Sequence, residues 1–303
     1  MMTEEVALDG RIDDAAEAPK AKRKTDWGAE LRGLFWLILA VLGFHSLIAK
    51  PFYIPSESML PGLLVGDRLV VTKYPYGYSY ITPTFHVLPF MQGRLFGRMP
   101  ERGDVVIVTP PGDQRKGEDW IKRVIGLPGD TIEVRDGVVF INGTAVKRGP
   151  LHYGTIRDYG DAQQPSDPKL TCDAGDYGFE ARVKGAGGRT DCRLPLITET
   201  LPNGRTYETV ELGRSQGDFF EAVKVPAGHV FLMGDNRDRS ADSRFTLEGG
   251  GLGGPVPWEN LGGRAEFVTF SVDGSATWNP LTWFTQFRGD RTGVSLHAPR
   301  EKP

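Results

Sequence analysis

The sequence predicts a mainly β protein: a β core interrupted by an inserted subdomain and preceded by one N-terminal transmembrane helix. Three observations predict it. Glycine at 39 and proline at 22 of 303 residues exceed ordinary usage, which favours short strands joined by turns over long helices. One long apolar run stands near the N-terminus, and beyond it short β-branched runs alternate with turn signals. A hydrophobic fraction of 39% is enough for a core, and a formal net charge of -3 supplies no basic field for a nucleic-acid partner.

The chain opens on an acidic, then alanine-rich, then basic stretch with too few large apolar side chains to fold, so 1–32 reads as a disordered cytoplasmic tail. Residues 33–49, from Gly33 to Ala49, are apolar apart from His45 and Ser46. As a helix they would reach about 25 Å, slightly less than the roughly 30 Å hydrocarbon core. Lys20, Lys22, Arg23, Lys24 and Arg32 flank the run on its N-terminal side, and the positive-inside rule then leaves the tail in the cytoplasm. A cleavable secretory signal would end in small residues, whereas this run ends in Phe44, His45, Leu47, Ile48 and Lys50, so the helix reads as an uncleaved anchor. The basic flank and the length also fit a span better than a buried core helix.

Strands are expected at 67–73, 103–109, 120–125, 131–135, 138–141, 230–233 and 265–272. Asp136-Gly137 and Asn142-Gly143 are hairpin turns between such runs. Residues 50–144 and 223–303 form the predicted β core, and 145–222, rich in Gly, Asp, Pro and Tyr, form the predicted inserted subdomain. That insert holds both cysteines, Cys172 and Cys192, which an extracytoplasmic site would join as a disulfide; two separate thiols are the alternative. Aromatic stretches over Tyr74–Phe96 and Trp278–Phe287 suit either the headgroup region or the core.

No His, Cys or acidic spacing supports a metal. The five histidines show no ligand pair, and the run Asp235, Asn236, Asp238, Asp242 lacks the Gly and Glu positions of a calcium loop. Gly213-Arg214-Ser215-Gln216-Gly217 has the spacing of a hydrolase nucleophile elbow but no strand before it or helix after it, and Gly249, Gly251 and Gly254 form a glycine loop.

Better candidates begin just past the helix, in Phe52-Tyr53-Ile54-Pro55-Ser56-Glu57-Ser58-Met59-Leu60-Pro61, where prolines fix the backbone around two serines. A nucleophile must be presented on such a rigid turn, and Ser58 is the candidate. In the run Trp120-Ile121-Lys122-Arg123-Val124, strand alternation puts Lys122 on a face with Trp120 and Val124 and turns Arg123 away. Apolar surroundings lower a lysine pKa and fit it to take a serine proton, whereas an edge-strand lysine reaching for water is the blander reading. A third, polar run follows the Val230–Met233 strand: Gly234-Asp235-Asn236-Arg237-Asp238-Arg239-Ser240-Ala241-Asp242-Ser243-Arg244.

These three runs, in this order behind an N-terminal anchor, resemble the signature boxes of the bacterial type I signal peptidases, over roughly residues 30–275. The resemblance implies a signal-peptidase-like β catalytic core and a serine endopeptidase with Ser58 as nucleophile and Lys122 as general base. It implies an oxyanion hole of the Ser58 N–H and the Ser56 hydroxyl, Ser240 orienting Lys122, and supporting ion pairs Asp235–Arg123 and Asp242–Arg244. Phe52, Ile54, Met59, Leu63 and Ile121 would line shallow pockets that admit alanine. No cofactor and no metal are implied. The partners would be preprotein signal peptides with Ala-x-Ala-like sites, the lipid bilayer and the protein export machinery. The place would be the bacterial inner membrane, with one span, the N-terminus in the cytoplasm and the catalytic domain periplasmic. Ser58 lies only about 30 Å of extended chain from the membrane, which suits membrane-inserted substrates. Glu57, in the spacer between the serines, is expected to face solvent. The competing reading is a noncatalytic, membrane-anchored β-rich envelope assembly protein.

Overall fold

A computed structural model describes residues 26–83, 92–112, 115, 117–157, 182–185, 190–272 and 287–301. The chain falls into two units, residues 1–40 and 41–303. Helix α1 runs over Trp27–Leu47, 21 residues with none buried. It begins earlier than the apolar run because Asp26 caps it, accepting from the Gly28 N–H at 3.0 Å and the Ala29 N–H at 3.3 Å. Its length is about 32 Å at about 1.5 Å per residue, enough to cross a hydrocarbon core. The helix stops at Leu47 rather than Ala49, because Ala49 already belongs to the first strand.

The strands, in chain order, are β1 (Ala49–Tyr53), β2 (Asp67–Thr72), β3 (Val105–Val108), β4 (Trp120–Gly126), β5 (Thr131–Arg135) and β6 (Val138–Ile141). Then come β7 (Thr144–Ala145), β8 (Lys147–Arg148), β9 (His152–Arg157), β10 (Arg182–Lys184) and β11 (Thr190–Thr200). The chain continues through β12 (Thr206–Val210), β13 (Phe220–Lys224), β14 (His229–Met233), β15 (Val256–Pro257) and β16 (Leu261–Ser271). They build a seven-stranded sheet in the order β1-β2-β16-β3-β4-β14-β15, a four-stranded sheet β13-β5-β6-β7, and a five-stranded sheet in which β11 pairs with β8, β9, β10 and β12.

The all-apolar β3 shows why a continuous run reads as a strand buried on both faces. Val105 and Ile107 enter one cluster with Ile54, Met59, Leu69 and Val71, while Val106 and Val108 enter another with Tyr76, Val124 and Leu232. Both predicted hairpins close through residues at positive φ, Asp136 at 45° and Gly137 at 73°, Asn142 at 54° and Gly143 at 78°, which is the geometry that Asx-Gly pairs supply.

Within the predicted insert, β8 to β12 form a sheet that packs on the core. Leu194, Leu196, Val210 and Leu212 from this sheet and the loop after it bury Leu60 and Leu64, which follow Ser58. Cys192 on β11 is buried and disulfide-bonded, and Cys172 lies outside the described residues. Of the two aromatic stretches, Phe85, Phe90, Trp278, Trp283 and Phe284 also lie outside them. The rest divide between environments: Tyr76 is buried and donates to Asp104 at 2.8 Å, whereas Tyr74 and Phe96 are exposed.

Candidate active site

Three segments converge on one point. Ser58 sits on the turn after β1, Lys122 on β4, and the polar run leaves the end of β14. Pairing of β14 with β4 aligns Met233 with Arg123, so the residues after Met233 arrive beside the lysine strand. The Asn236 N–H then donates to the Ser58 carbonyl at 3.1 Å and ties the serine turn to the polar run.

Lys122 Nζ donates to Ser58 Oγ at 3.0 Å and to the Ile121 carbonyl at 3.1 Å. The lysine is 4% exposed and the serine 7%. Burial pulls the Lys122 pKa down to about 8; Asp242 and Asp235 oppose the shift and Arg244 reinforces it. Ser56 Oγ stands 3.5 Å from Ser58 Oγ. The Ser58 N–H donates to no acceptor among the described residues, which leaves it available to an incoming oxyanion.

Arg123 turns to the far side of β4 and meets Asp235 twice, Nε at 2.7 Å and Nη2 at 2.6 Å, with its Cζ 4.2 Å from the Tyr207 ring centroid. Arg244 folds back on Asp242, with Nε and Nη2 each at 2.9 Å. Asp242 also accepts the Gly234 N–H at 3.0 Å. Ser240 Oγ is buried and has no partner among the described residues; no hydrogen bond joins it to Lys122. It packs on Gly234, where a Cβ would overlap Ser240 and come within 2.5 Å of the Ser58 carbonyl oxygen. Gly234 therefore lets the polar run press directly on the serine, a role that its place between an apolar strand and a charged run could have suggested.

Phe52, Ile54, Met59, Leu63 and Ile121 gather in one apolar cluster, with Phe52 partly buried at its margin. Glu57 departs from expectation: it meets Arg239 at 3.1 Å with only 11% of its side chain exposed, because the polar run supplies a cation directly above the serine turn. Ser215 is held by Asp218, whose Oδ2 accepts the Ser215 N–H at 2.7 Å, as the cap of a short 3-10 turn, which accounts for its motif without chemistry.

Sequence reasoning missed a second buried network. Arg237 donates to Glu199 on β11 at 2.8 and 2.7 Å, and Tyr207 on β12 donates to Glu199 at 2.9 Å. Nothing local marks Glu199, whose partner comes from a distant part of the chain. Carboxylates of Glu211, Asp218 and Asp238 also approach within 4.8 Å of one another. Burial, then Asp238, pushes Glu211 up to about 7 against the pull of Arg148, which donates to it at 2.9 Å.

Residues 27–270 match the family model of signal peptidase, peptidase S26. Signal peptidase I of Rickettsia massiliae (strain Mtu5) is 35% identical over 263 residues, covering 84% of this chain and 82% of that one. Signal peptidase I of Rickettsia typhi (strain Wilmington) is 36% identical over 257 residues, with 82% and 81% covered. A crystal structure of a signal peptidase I from Enterococcus faecalis V583 shares 24% identity over 55% of this chain and 97% of that one, at a TM-score of 0.27. On the family match and on identity of this order over most of both chains, this chain belongs to the signal peptidase I enzymes of peptidase family S26, which are serine peptidases.

Proposed function

We propose that the protein is a membrane-bound endopeptidase that removes signal peptides from exported preproteins after Ala-x-Ala-like sites, with Ser58 as nucleophile and Lys122 as general base. The observation that carries this reading is the 3.0 Å contact between Ser58 Oγ and a buried Lys122 held near 8. In its neutral form Lys122 accepts the Ser58 hydroxyl proton as Oγ bonds to the scissile carbonyl carbon. The oxyanion that forms is met by the Ser58 N–H and the Ser56 hydroxyl. Lys122 returns the proton to the leaving amine, and the ester left on Ser58 is hydrolysed by a water that Lys122 deprotonates. Asp235–Arg123 and Asp242–Arg244 hold the polar run against the lysine strand, and Ser240 would orient the base only by moving to accept from or donate to Lys122 when substrate binds, since at rest it packs on Gly234.

Substrate binding follows from two free edges. β1 pairs only with β2 among the described strands, and Trp120–Lys122 on β4 lies upstream of the stretch that β14 covers. An extended peptide adds between them, its small side chains directed at Phe52 and Ile121 over the floor of Ile54, Met59 and Leu63. α1 anchors the enzyme in the bacterial inner membrane, tail inward and catalytic unit outside, beside substrates that span the same bilayer.

The test is cleavage of a precursor bearing an Ala-x-Ala site by wild type and by Ser215→Ala, in detergent, with the cut located by product mass. Cutting after the second alanine by both is expected. An inactive wild type would favour the noncatalytic envelope protein.

A further inference from the structure

Lys73 is 5% exposed and makes no side-chain hydrogen bond or ion pair among the described residues. A buried cation with no hydrogen bond or ion pair is costly, so its position calls for a reason. It follows β2, and the two-residue period that puts Leu69 and Val71 in the apolar cluster with Phe52, Ile54 and Ile121 carries Lys73 to the same face. By the same alternation Lys50 shares a face with Phe52 on β1, and Asp119 continues the face of Ile121. Lys50 Nζ lies 4.8 Å and Lys73 Nζ 5.7 Å from the Phe52 ring centroid, and Lys50 reaches across to Asp119 at 3.9 Å.

The Lys50–Asp119 contact thus bridges the two free edges between which the substrate would lie, at the end away from Ser58. On their strands Lys50 and Asp119 precede Ile54 and Lys122 by about 10–13 Å of extended chain, at about 3.3 Å per residue. That is the reach of the last few substrate residues before the cut, beyond which a signal peptide turns into its apolar helix. Three cations, Lys50, Lys73 and Arg94, stand against two carboxylates, Asp119 beside Lys50 and Lys73 and Glu259 beside Arg94; burial, with Lys50 and Arg94, holds Lys73 down to about 8 against the pull of Asp119. A helix that ends there presents unpaired carbonyls and the negative end of its dipole. The half-exposed Lys50–Asp119 pair, 37% and 29% exposed, is weakly held and readily exchanged.

Resting on the signal-peptide reading above, we propose that Lys50 and Lys73 form a subsite for the carbonyl-bearing C-terminal end of the substrate's apolar helix, entered when Lys50 leaves Asp119. A lipid phosphate is the competing occupant, and it fits less well because Lys73 is enclosed beside Phe52 rather than presented on an open surface.

The test uses full-length enzyme in neutral detergent and two peptides with one cleavage site: a long one carrying the apolar helix and a short one that begins about three residues before the cut. Lys73→Met should reduce the long-to-short ratio of kcat/KM by about 5- to 10-fold, through KM of the long peptide rather than kcat. Lys50→Gln, at a more exposed position, should reduce it in the same direction and keeps the test open should Lys73→Met fail to fold. An unchanged ratio in both variants overturns the subsite. So does a defect that appears only on anionic vesicles and affects both peptides equally, which would assign the lysines to headgroups. A wild type that cleaves neither peptide overturns the signal-peptide reading and the subsite with it.

Discussion

Lys122 Nζ stands 3.0 Å from Ser58 Oγ, and the two carboxylates that act on the lysine, Asp242 and Asp235, are each committed to an arginine of their own. Asp235 is paired with Arg123 at 2.6 Å and Asp242 with Arg244 at 2.9 Å. Left free, those acids would stabilise the ammonium and hold the proton on nitrogen. Neutralised in place, they oppose burial only in part, and burial prevails: the lysine settles near 8 rather than 10.5.

The rate should therefore depend on pH through Lys122. As the proposed base, Lys122 is competent only when neutral, above its pKa, and that pKa is lowered to about 8, so kcat/KM should rise about tenfold per pH unit below 8 and level off above it. A profile from pH 6 to 10 checks this; a limb near the ordinary lysine value would show that burial does not act on the base.

Gly234→Ala should cut activity by about 100-fold while leaving the fold intact. The added methyl would meet Ser240 and the Ser58 carbonyl, and displacing a nucleophile by even about 1 Å costs that much. Steady-state kinetics beside near-UV circular dichroism separate a moved serine from a lost fold.

Glu199→Gln should destabilise the protein by about 3–5 kcal/mol, because it strips a buried guanidinium of its counter-charge. Arg237 and Glu199 are 3% and 1% exposed, so solvent cannot compensate. Denaturant titration gives the number, and a change of only a few tenths would mean that Tyr207 and the Gly234 carbonyl suffice to hold Arg237.

Reduction of the Cys192 disulfide, or Cys192→Ser, should lower stability by about 2–4 kcal/mol. Thermal melts with and without reductant test this, and coincident curves would contradict it.

What could be read from the chain alone was whatever is local. Asp136-Gly137 and Asn142-Gly143 mark their hairpins, alternation on β4 parts Lys122 from Arg123, and three runs, around Ser58, around Lys122 and from Gly234 to Arg244, carry the candidate site. Ala49–Tyr53 went unread as a strand because it continues the apolar helix and holds Pro51, although as an edge strand β1 tolerates proline. The helix start was legible at Asp26 but lay outside the apolar window. β8 to β12 escaped because part of what they bury, Leu60 and Leu64, comes from the serine turn far away in sequence. Glu57 and Glu199 were misjudged or missed for the same reason: their arginines, 239 and 237, come from the polar run.

The measurement closest to the central claim is precursor cleavage by Ser58→Ala and Lys122→Ala, each shown by thermal melting to be folded. A loss of at least about 1000-fold is expected in both, since one removes the proposed nucleophile and the other its proposed base. Cleavage within about tenfold of wild type in either would contradict the Ser58–Lys122 assignment.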